Sequence, residues 1–347
     1  MTLSRRHVLL AGAAGSAALL LGACSARGPG TDRRALDDAR TARDAGQLVA
    51  GDGFTQVELD WTDPARGRAV PVRLYLPAAQ ASGAPPLALV LFSHGLGGSR
   101  RGYSYLGTQL ARHGIACLHV QHVGSDRALW GGSPLELAAR LQAAAQDREA
   151  IDRVADLSFA LDRVLEAGRD DAWRFAVDPA RVIVAGHSYG ANTALLASGA
   201  QVERDGAAVN LHDRRVRAAI VLSAPPFYGA PALAPILRPV TLPSLHVTTT
   251  DDEIRVPGYW SPPADRVRVF DAIGSRPKAL AVFNGGAHSV FTDRTLPGGP
   301  ELNARVKAAT QQLTLAFMAS TFDGRAEALG SWSRQHGEIL ARFTATA

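Results

Sequence analysis

The sequence predicts an α/β protein with a mainly parallel central sheet flanked by helices on both faces. Six short apolar runs, helical stretches between them and one glycine-rich turn around a serine carry that prediction. Residues 54–61 and 69–76 alternate apolar and polar side chains about a turn at 64–67, the pattern of an antiparallel hairpin at a sheet edge. From residue 87 the pattern changes. Runs at 87–92, 115–120, 182–185, 216–222, 245–249 and 279–283 are apolar throughout, which suits strands buried on both faces. Helical stretches are expected at 105–112, 134–167, 191–199 and 302–319. Strands alternating with helices imply parallel pairing, and functional groups then gather at the carboxyl ends of the strands.

The run ending at Ala185 feeds directly into Gly186-His187-Ser188-Tyr189-Gly190, followed by the helix-prone Ala191-Asn192-Thr193-Ala194-Leu195. A strand that must reverse into a helix within two residues forces its serine into a strained geometry and lifts the hydroxyl clear of the sheet. Glycines on both sides remove the β-carbons that would collide there. Ser188 is therefore the candidate nucleophile. A serine in some other glycine-rich strand-to-helix turn is the competing reading, and the flanking strand and helix argue against it.

A serine hydroxyl is a weak nucleophile near neutral pH, so a histidine must take its proton and a carboxylate must hold that histidine in the useful tautomer. His288, in Gly285-Gly286-Ala287-His288-Ser289-Val290-Phe291, follows the last apolar run and takes the base position. His336 sits in a polar tail with no strand before it. Behind the run at 245–249 come Asp251, Asp252 and Glu253. Asp252 is favoured as the acid, with Asp251 in reserve. The loop Ser93-His94-Gly95-Leu96-Gly97-Gly98 follows the first buried run, and the N–H groups of Leu96 and Tyr189 are the expected oxyanion donors. His94 reads as a residue that shapes this loop. His119 and His122 flank a strand end and are placed near the cleft. A metal pair there lacks a third ligand of suitable spacing, so no metal is expected. His113, His212 and His246 are read as surface or supporting residues.

The amino terminus carries Arg5-Arg6 ahead of an apolar stretch at 11–21, short and rich in glycine and alanine. This reads as a twin-arginine export signal rather than a membrane span. It closes on Leu21-Gly22-Ala23-Cys24, which resembles the lipobox of bacterial lipoproteins and implies cleavage before Cys24 and acylation of its sulfur. A soluble exported product is the alternative, because Gly22 is unusual at its place. With Cys24 acylated, Cys117 has no partner, so no disulfide is expected. Cys117 lies in an apolar run and is read as a buried strand residue. The expected organisation is an export signal at 1–23, a tether at 24–50, one catalytic domain at 51–322 and a helical tail at 323–347. The expected location is the periplasm or cell envelope, with the membrane reached through the lipid at Cys24. A net charge of +5 is too mild to argue for nucleic acid.

These residues together resemble the α/β-hydrolase superfamily, in particular the group of platelet-activating-factor acetylhydrolases and dienelactone hydrolase-like proteins. The resemblance runs over roughly residues 55–319, through the Ser93–Gly98 loop, the stretch 121–126, the Gly186–Gly190 turn, Asp252 with Ile254-Arg255-Val256-Pro257-Gly258, and Gly285–Phe291. It implies an α/β-hydrolase fold, a Ser188, Asp252, His288 triad and an oxyanion hole at Leu96 and Tyr189. Two departures stand out. Ser188 replaces the cysteine of true dienelactone hydrolases, and Ala287 stands where the group often has an acid. The expected activity is serine carboxylic-ester hydrolysis on lipid-like or small accessible esters, without a cofactor. A serine peptidase or amidase, a polyester hydrolase and a non-catalytic lipoprotein are the alternatives. Serine at the turn excludes dehalogenase and epoxide hydrolase chemistry, which needs aspartate there, and no G-x-G-x-x-G supports a nicotinamide site. Sheet strands follow one another without a long insertion, so no large lid is expected. Residues 123–135, with Trp130, and the loop 259–263 are the available apolar cover.

Overall fold

The computed structural model describes residues 46–78, 84–167, 171, 173–204, 207–227, 229, 232–256, 259–294 and 299–346. The expected export signal, Cys24 and most of the expected tether lie outside the described residues, as do Pro257 and Gly258. In chain order the elements are β1 (Val49–Gly51), β2 (Phe54–Asp63), β3 (Arg68–Pro77), β4 (Leu87–Ser93), α1 (Ser104–Arg112) and β5 (Ala116–Val120). Then come α2 (Leu137–Ala144), α3 (Asp147–Leu165), β6 (Val177–His187), α4 (Tyr189–Ala197), β7 (Gln201–Arg204), β8 (Ala207–Asn210) and β9 (Ala218–Leu222). The chain continues through α5 (Ala234–Leu237), β10 (Ser244–Asp251), β11 (Ile254–Val256), β12 (Tyr259–Ser261), α6 (Ala264–Ala272) and β13 (Lys278–Ala287). It ends in α7 (Pro300–Phe322), α8 (Ala328–Gln335) and β14 (Leu340–Thr346).

Among the described residues, ten strands form one sheet in the order β1-β2-β3-β5-β4-β6-β9-β10-β13-β14. The six central strands from β5 to β13 pair in parallel, and antiparallel strands close both sides. Because successive side chains on a strand point to opposite faces, each apolar run feeds two cores. Leu89, Leu91, Val182, Val184, Ala219 and Val221 pack with α3 and α4 on one face. Val90, Phe92, Ile183, Ala185, Ile220 and Leu222 pack with α1, α7 and α8 on the other. Burial on both sides explains why these runs show no polar alternation.

Several boundaries differ from the sequence expectation. The 54–76 hairpin is present as β2 and β3, but β1 pairs outside it. So the end of the expected tether belongs to the sheet. The helix expected at 134–167 is broken into a short 3₁₀ turn at Pro134–Glu136, α2 and α3. The expected helical tail contains α8 but finishes as β14, antiparallel to β13. Its Leu340-Ala341-Arg342-Phe343 alternation is too short to register as a strand without its partner, which supplies the hydrogen bonds. The small ribbons β7-β8 and β11-β12 were likewise invisible to periodicity. Cys117 is a buried strand residue, and burial pushes its thiol well above the ordinary value.

Candidate active site

The elbow is set by close packing. Gly190 faces the end of β4, where a Cβ would come within 2.0 Å of the Ser93 carbonyl oxygen. A Cβ on Gly186 would come within 2.1 Å of the Gly190 oxygen. No side chain fits at either place. Ser188 between them has φ 56° and ψ −122°, a backbone geometry that costs on the order of 1–3 kcal/mol and persists only because its surroundings fix it. Its N–H is held by the Leu222 carbonyl at 2.9 Å, while its own carbonyl receives the N–H of Ala191 at 2.9 Å. The turn thus hangs from β9 on one side and starts α4 on the other.

Ser188 Oγ lies 2.8 Å from His288 Nε2, and His288 Nδ1 lies 2.6 Å from Asp252 Oδ1. The three residues come from the carboxyl ends of β6, β10 and β13. Asp252 is fully buried, and Thr248 Oγ1 donates to its second oxygen at 2.6 Å. Arg266 Nε stands 3.5 Å from Oδ1. Burial works to raise the Asp252 pKa, but the charge and hydrogen bond of His288 and the charge of Arg266 outweigh it. The carboxyl is held well below the usual range. Asp251, the reserve candidate, is exposed, with Thr250 Oγ1 3.1 Å from its side chain.

The loop after β4 is held by its own histidine. His94 is buried, its Nδ1–H donates to the Gly95 carbonyl at 2.7 Å, and Gly98 N–H donates to the same oxygen at 3.0 Å. In a trans peptide the N–H points away from the C=O. These two bonds therefore fix the direction of the Leu96 N–H. Tyr189 opens α4, where the first N–H groups have no partner inside the helix. Trp130 lies over the loop, donating its indole N–H to the Gly97 carbonyl at 2.9 Å, and remains 48% exposed. Leu96 and Leu137 pack against the cluster of Leu129, Leu141 and Ala144, so residues 129–144 form a small apolar rim beside the loop. In the other rim segment Trp260 is 61% exposed and bonds Glu253 at 2.7 Å, while Tyr259 bonds the Pro226 carbonyl at 3.1 Å.

His119 and His122 do not line the cleft, contrary to expectation. His119 is buried between Tyr75 and Phe92, with Nδ1 on the Gly102 carbonyl at 3.0 Å. His122 forms a second serine–histidine–aspartate chain: Ser93 Oγ lies 2.9 Å from its Nε2, and Asp156 Oδ2 lies 3.0 Å from its Nδ1. This chain is sealed from solvent. Arg66 and Arg68 occupy Asp156, and Arg153 donates to Ser93 Oγ at 3.0 Å. Buried in this way, it braces the base of the loop after β4. His246 is also buried, edge-on to Phe270, whereas His113 and His212 are exposed.

Sequence reasoning missed Arg153, Tyr103, His187 and Arg266. Arg153 had a signal, since it takes a place in the buried stripe Leu157, Ala160 and Val164 of α3. A cation there must find partners. The others give no sign until the strands converge.

The sheet order, the elbow and the placement of Ser188 at a strand end define an α/β-hydrolase-fold enzyme. The family model for platelet-activating factor acetylhydrolase, isoform II, matches residues 64–130. Among solved structures, a ferulic acid esterase from Streptomyces cinnamoneus is 25% identical, with a TM-score of 0.54 over 81% of this chain and 94% of that one. A cold-adapted esterase from an Arctic intertidal metagenomic library is 19% identical, with a TM-score of 0.46 over 76% of this chain and 97% of that one. A puromycin hydrolase is 17% identical, with a TM-score of 0.53 over 77% of this chain and 39% of that one, a likeness of fold. No curated protein matches the chain.

Proposed function

We propose that the protein is a serine carboxylic-ester hydrolase working through an acyl-enzyme. Ser188 Oγ attacks the ester carbonyl carbon while His288 Nε2 takes its proton. Asp252 accepts from His288 Nδ1–H, which leaves Nε2 free as the base and stabilises the imidazolium that forms. The carbonyl oxygen, now an anion, is received by the N–H groups of Leu96 and Tyr189. His288 then returns the proton to the departing alcohol. A water activated by the same histidine releases the acid and restores Ser188. The hydrogen-bonded sequence Ser188, His288, Asp252, at 2.8 and 2.6 Å, is the observation that carries this reading.

The substrates proposed are lipid-like or small accessible esters. The acetylhydrolase family match and the esterase of 25% identity support the ester bond. Exposed Val123, Trp130 and Leu135 on the segment that covers the oxyanion loop support an apolar acyl or alcohol group lying against an open rim. Hydrolysis of p-nitrophenyl acetate and butyrate by the parent and by Ser188→Ala tests the proposal. Loss of turnover in the variant is expected, and an equally fast variant overturns it. Phospholipid, polyester and peptide substrates in the same assay rank the classes, and peptide cleavage without ester cleavage would favour an amidase.

The amino-terminal reading joins the proposal: export through the twin-arginine segment, cleavage before Cys24, and a lipid anchor that holds the catalytic domain at a membrane. Mass spectrometry of the mature amino terminus tests it, with a diacylated Cys24 expected and an unmodified or uncleaved terminus contradicting it.

A further inference from the structure

Three loops must be in register for the proposed reaction, and a single hydrogen-bond chain joins all three. Gly95 N–H, in the oxyanion loop after β4, donates to Tyr103 Oη at 3.2 Å. Tyr103 Oη lies 2.9 Å from Nδ1 of His187, the residue before the nucleophile. His187 Nε2 lies 3.0 Å from the backbone carbonyl of His288. The directions follow from the two ends. The carbonyl can only accept, so Nε2 carries the hydrogen and Nδ1 keeps its lone pair. The phenol must then donate to Nδ1, and its oxygen is left to accept from the Gly95 amide. Every group is used once, and reversal is impossible because an amide stands at one end and a carbonyl at the other.

Both side chains are buried, and the His187 ring lies against that of His288, centroids 4.6 Å apart. Tyr103 adopts φ 61°, an uncommon conformation for a large side chain. Its side chain nevertheless ends on Gly95 and His187. Burial, with the nearby His288 charge, lowers the His187 pKa to about 3. Burial also raises that of Tyr103 to about 12. Both groups therefore keep the protons this chain requires across the working range. The elbow's own geometry explains why Ser188 is strained, but it does not explain a buried phenol spanning from one loop to the next.

We infer that Tyr103 and His187 are positioning residues that lock the oxyanion loop and the His288 loop to the nucleophile elbow. The inference rests on the reading of Ser188, His288 and Asp252 given above. Misplacement of such groups by about 1 Å can cost on the order of a hundredfold in rate.

The test compares the parent, Ser188→Ala, Tyr103→Phe, His187→Gln, His187→Phe and the Tyr103→Phe/His187→Gln pair on p-nitrophenyl butyrate. It also measures the affinity of each for a boronic acid that mimics the tetrahedral adduct. Tyr103→Phe is expected to lower kcat about ten- to a hundredfold with KM within about threefold, and to weaken the boronic acid in parallel. Glutamine at 187 can still donate to the His288 carbonyl, so His187→Gln is expected to lose less than His187→Phe. Because the two residues act in one chain, the pair should lose less than the product of the single losses. Parental kcat in folded Tyr103→Phe overturns the inference, as does a lowered melting temperature with unchanged kcat and boronic acid affinity. If Tyr103→Phe does not fold, the ordering of the two His187 variants decides. Retained activity in Ser188→Ala instead defeats the nucleophile reading, so the two failures are separable.

Discussion

The Arg153 guanidinium lies over the Tyr189 ring, its Cζ 4.5 Å from the centroid, and so joins α3 to the first residue of the elbow helix. The same group donates to Thr193 Oγ1 at 2.9 Å, Ser125 Oγ at 2.7 Å, Ser93 Oγ at 3.0 Å and the His94 carbonyl. One buried cation thus ties together the end of β4, the loop after β5 and α4. Replacing it by Met removes all four of these donated bonds and leaves Glu149, which Ser125 Oγ contacts at 2.6 Å, without the nearby buried cation. Arg153→Met is expected to lose about 3 kcal/mol or more of unfolding free energy. Arg153→Lys, which keeps the charge without the fork, should fall between the two. Denaturant titration measures both.

His94 holds the loop after β4, which carries the proposed oxyanion donor Leu96, through the Gly95 carbonyl. His94→Phe removes one of the two donors to that carbonyl and strips the His122 backbone N–H of its acceptor. With the Leu96 N–H no longer aimed, kcat is expected to fall about a hundred- to a thousandfold, the cost of one oxyanion donor, with little change in KM. Steady-state kinetics on a soluble ester checks it.

The two adjacent aspartates separate cleanly. Asp252→Asn keeps the shape but offers His288 the wrong partner, and kcat should drop about ten thousandfold. Asp251→Asn, at an exposed position, should change kcat by no more than about twofold. Equal losses in the two variants would contradict the geometry.

Acid should destabilise the protein through its buried imidazoles. Burial is the first cause that lowers the pKa of His94, His119, His122, His187 and His246, those of His119, His187 and His246 to about 3. In the unfolded chain a histidine titrates near about 6.5. The unfolded state therefore binds more protons below that pH, and the stability held above it is lost as pH falls toward the folded values. Each histidine contributes up to about 1.4 kcal/mol per pH unit in that window. Melting temperature should fall steeply between about pH 6 and pH 4. A flat profile there would contradict neutral burial of these rings.

Much of this was legible in the sequence, for reasons tied to particular residues. Ser188 could be found because its elbow needs Gly186 and Gly190, and His288 because it follows the last buried run at a strand end. Choosing Asp252 over Asp251 was a matter of loop offset, and only the folded loop shows which carboxylate reaches the imidazole. The two histidines at 119 and 122 misled because a strand end looks alike whether its side chains face the cleft or the core. Long-range partners decided the rest. β14 exists through β13, and Arg153 is tolerated through Ser93, Ser125 and Thr193, none of them near it in sequence.

The most direct test is intact and peptide mass spectrometry of the enzyme quenched in acid during turnover of p-nitrophenyl butyrate. The account expects a butyryl adduct on the peptide containing Ser188, enriched in a variant with slowed deacylation and absent from Ser188→Ala. An adduct on another residue, or turnover with no covalent species at any quench time and no presteady-state burst, would contradict it.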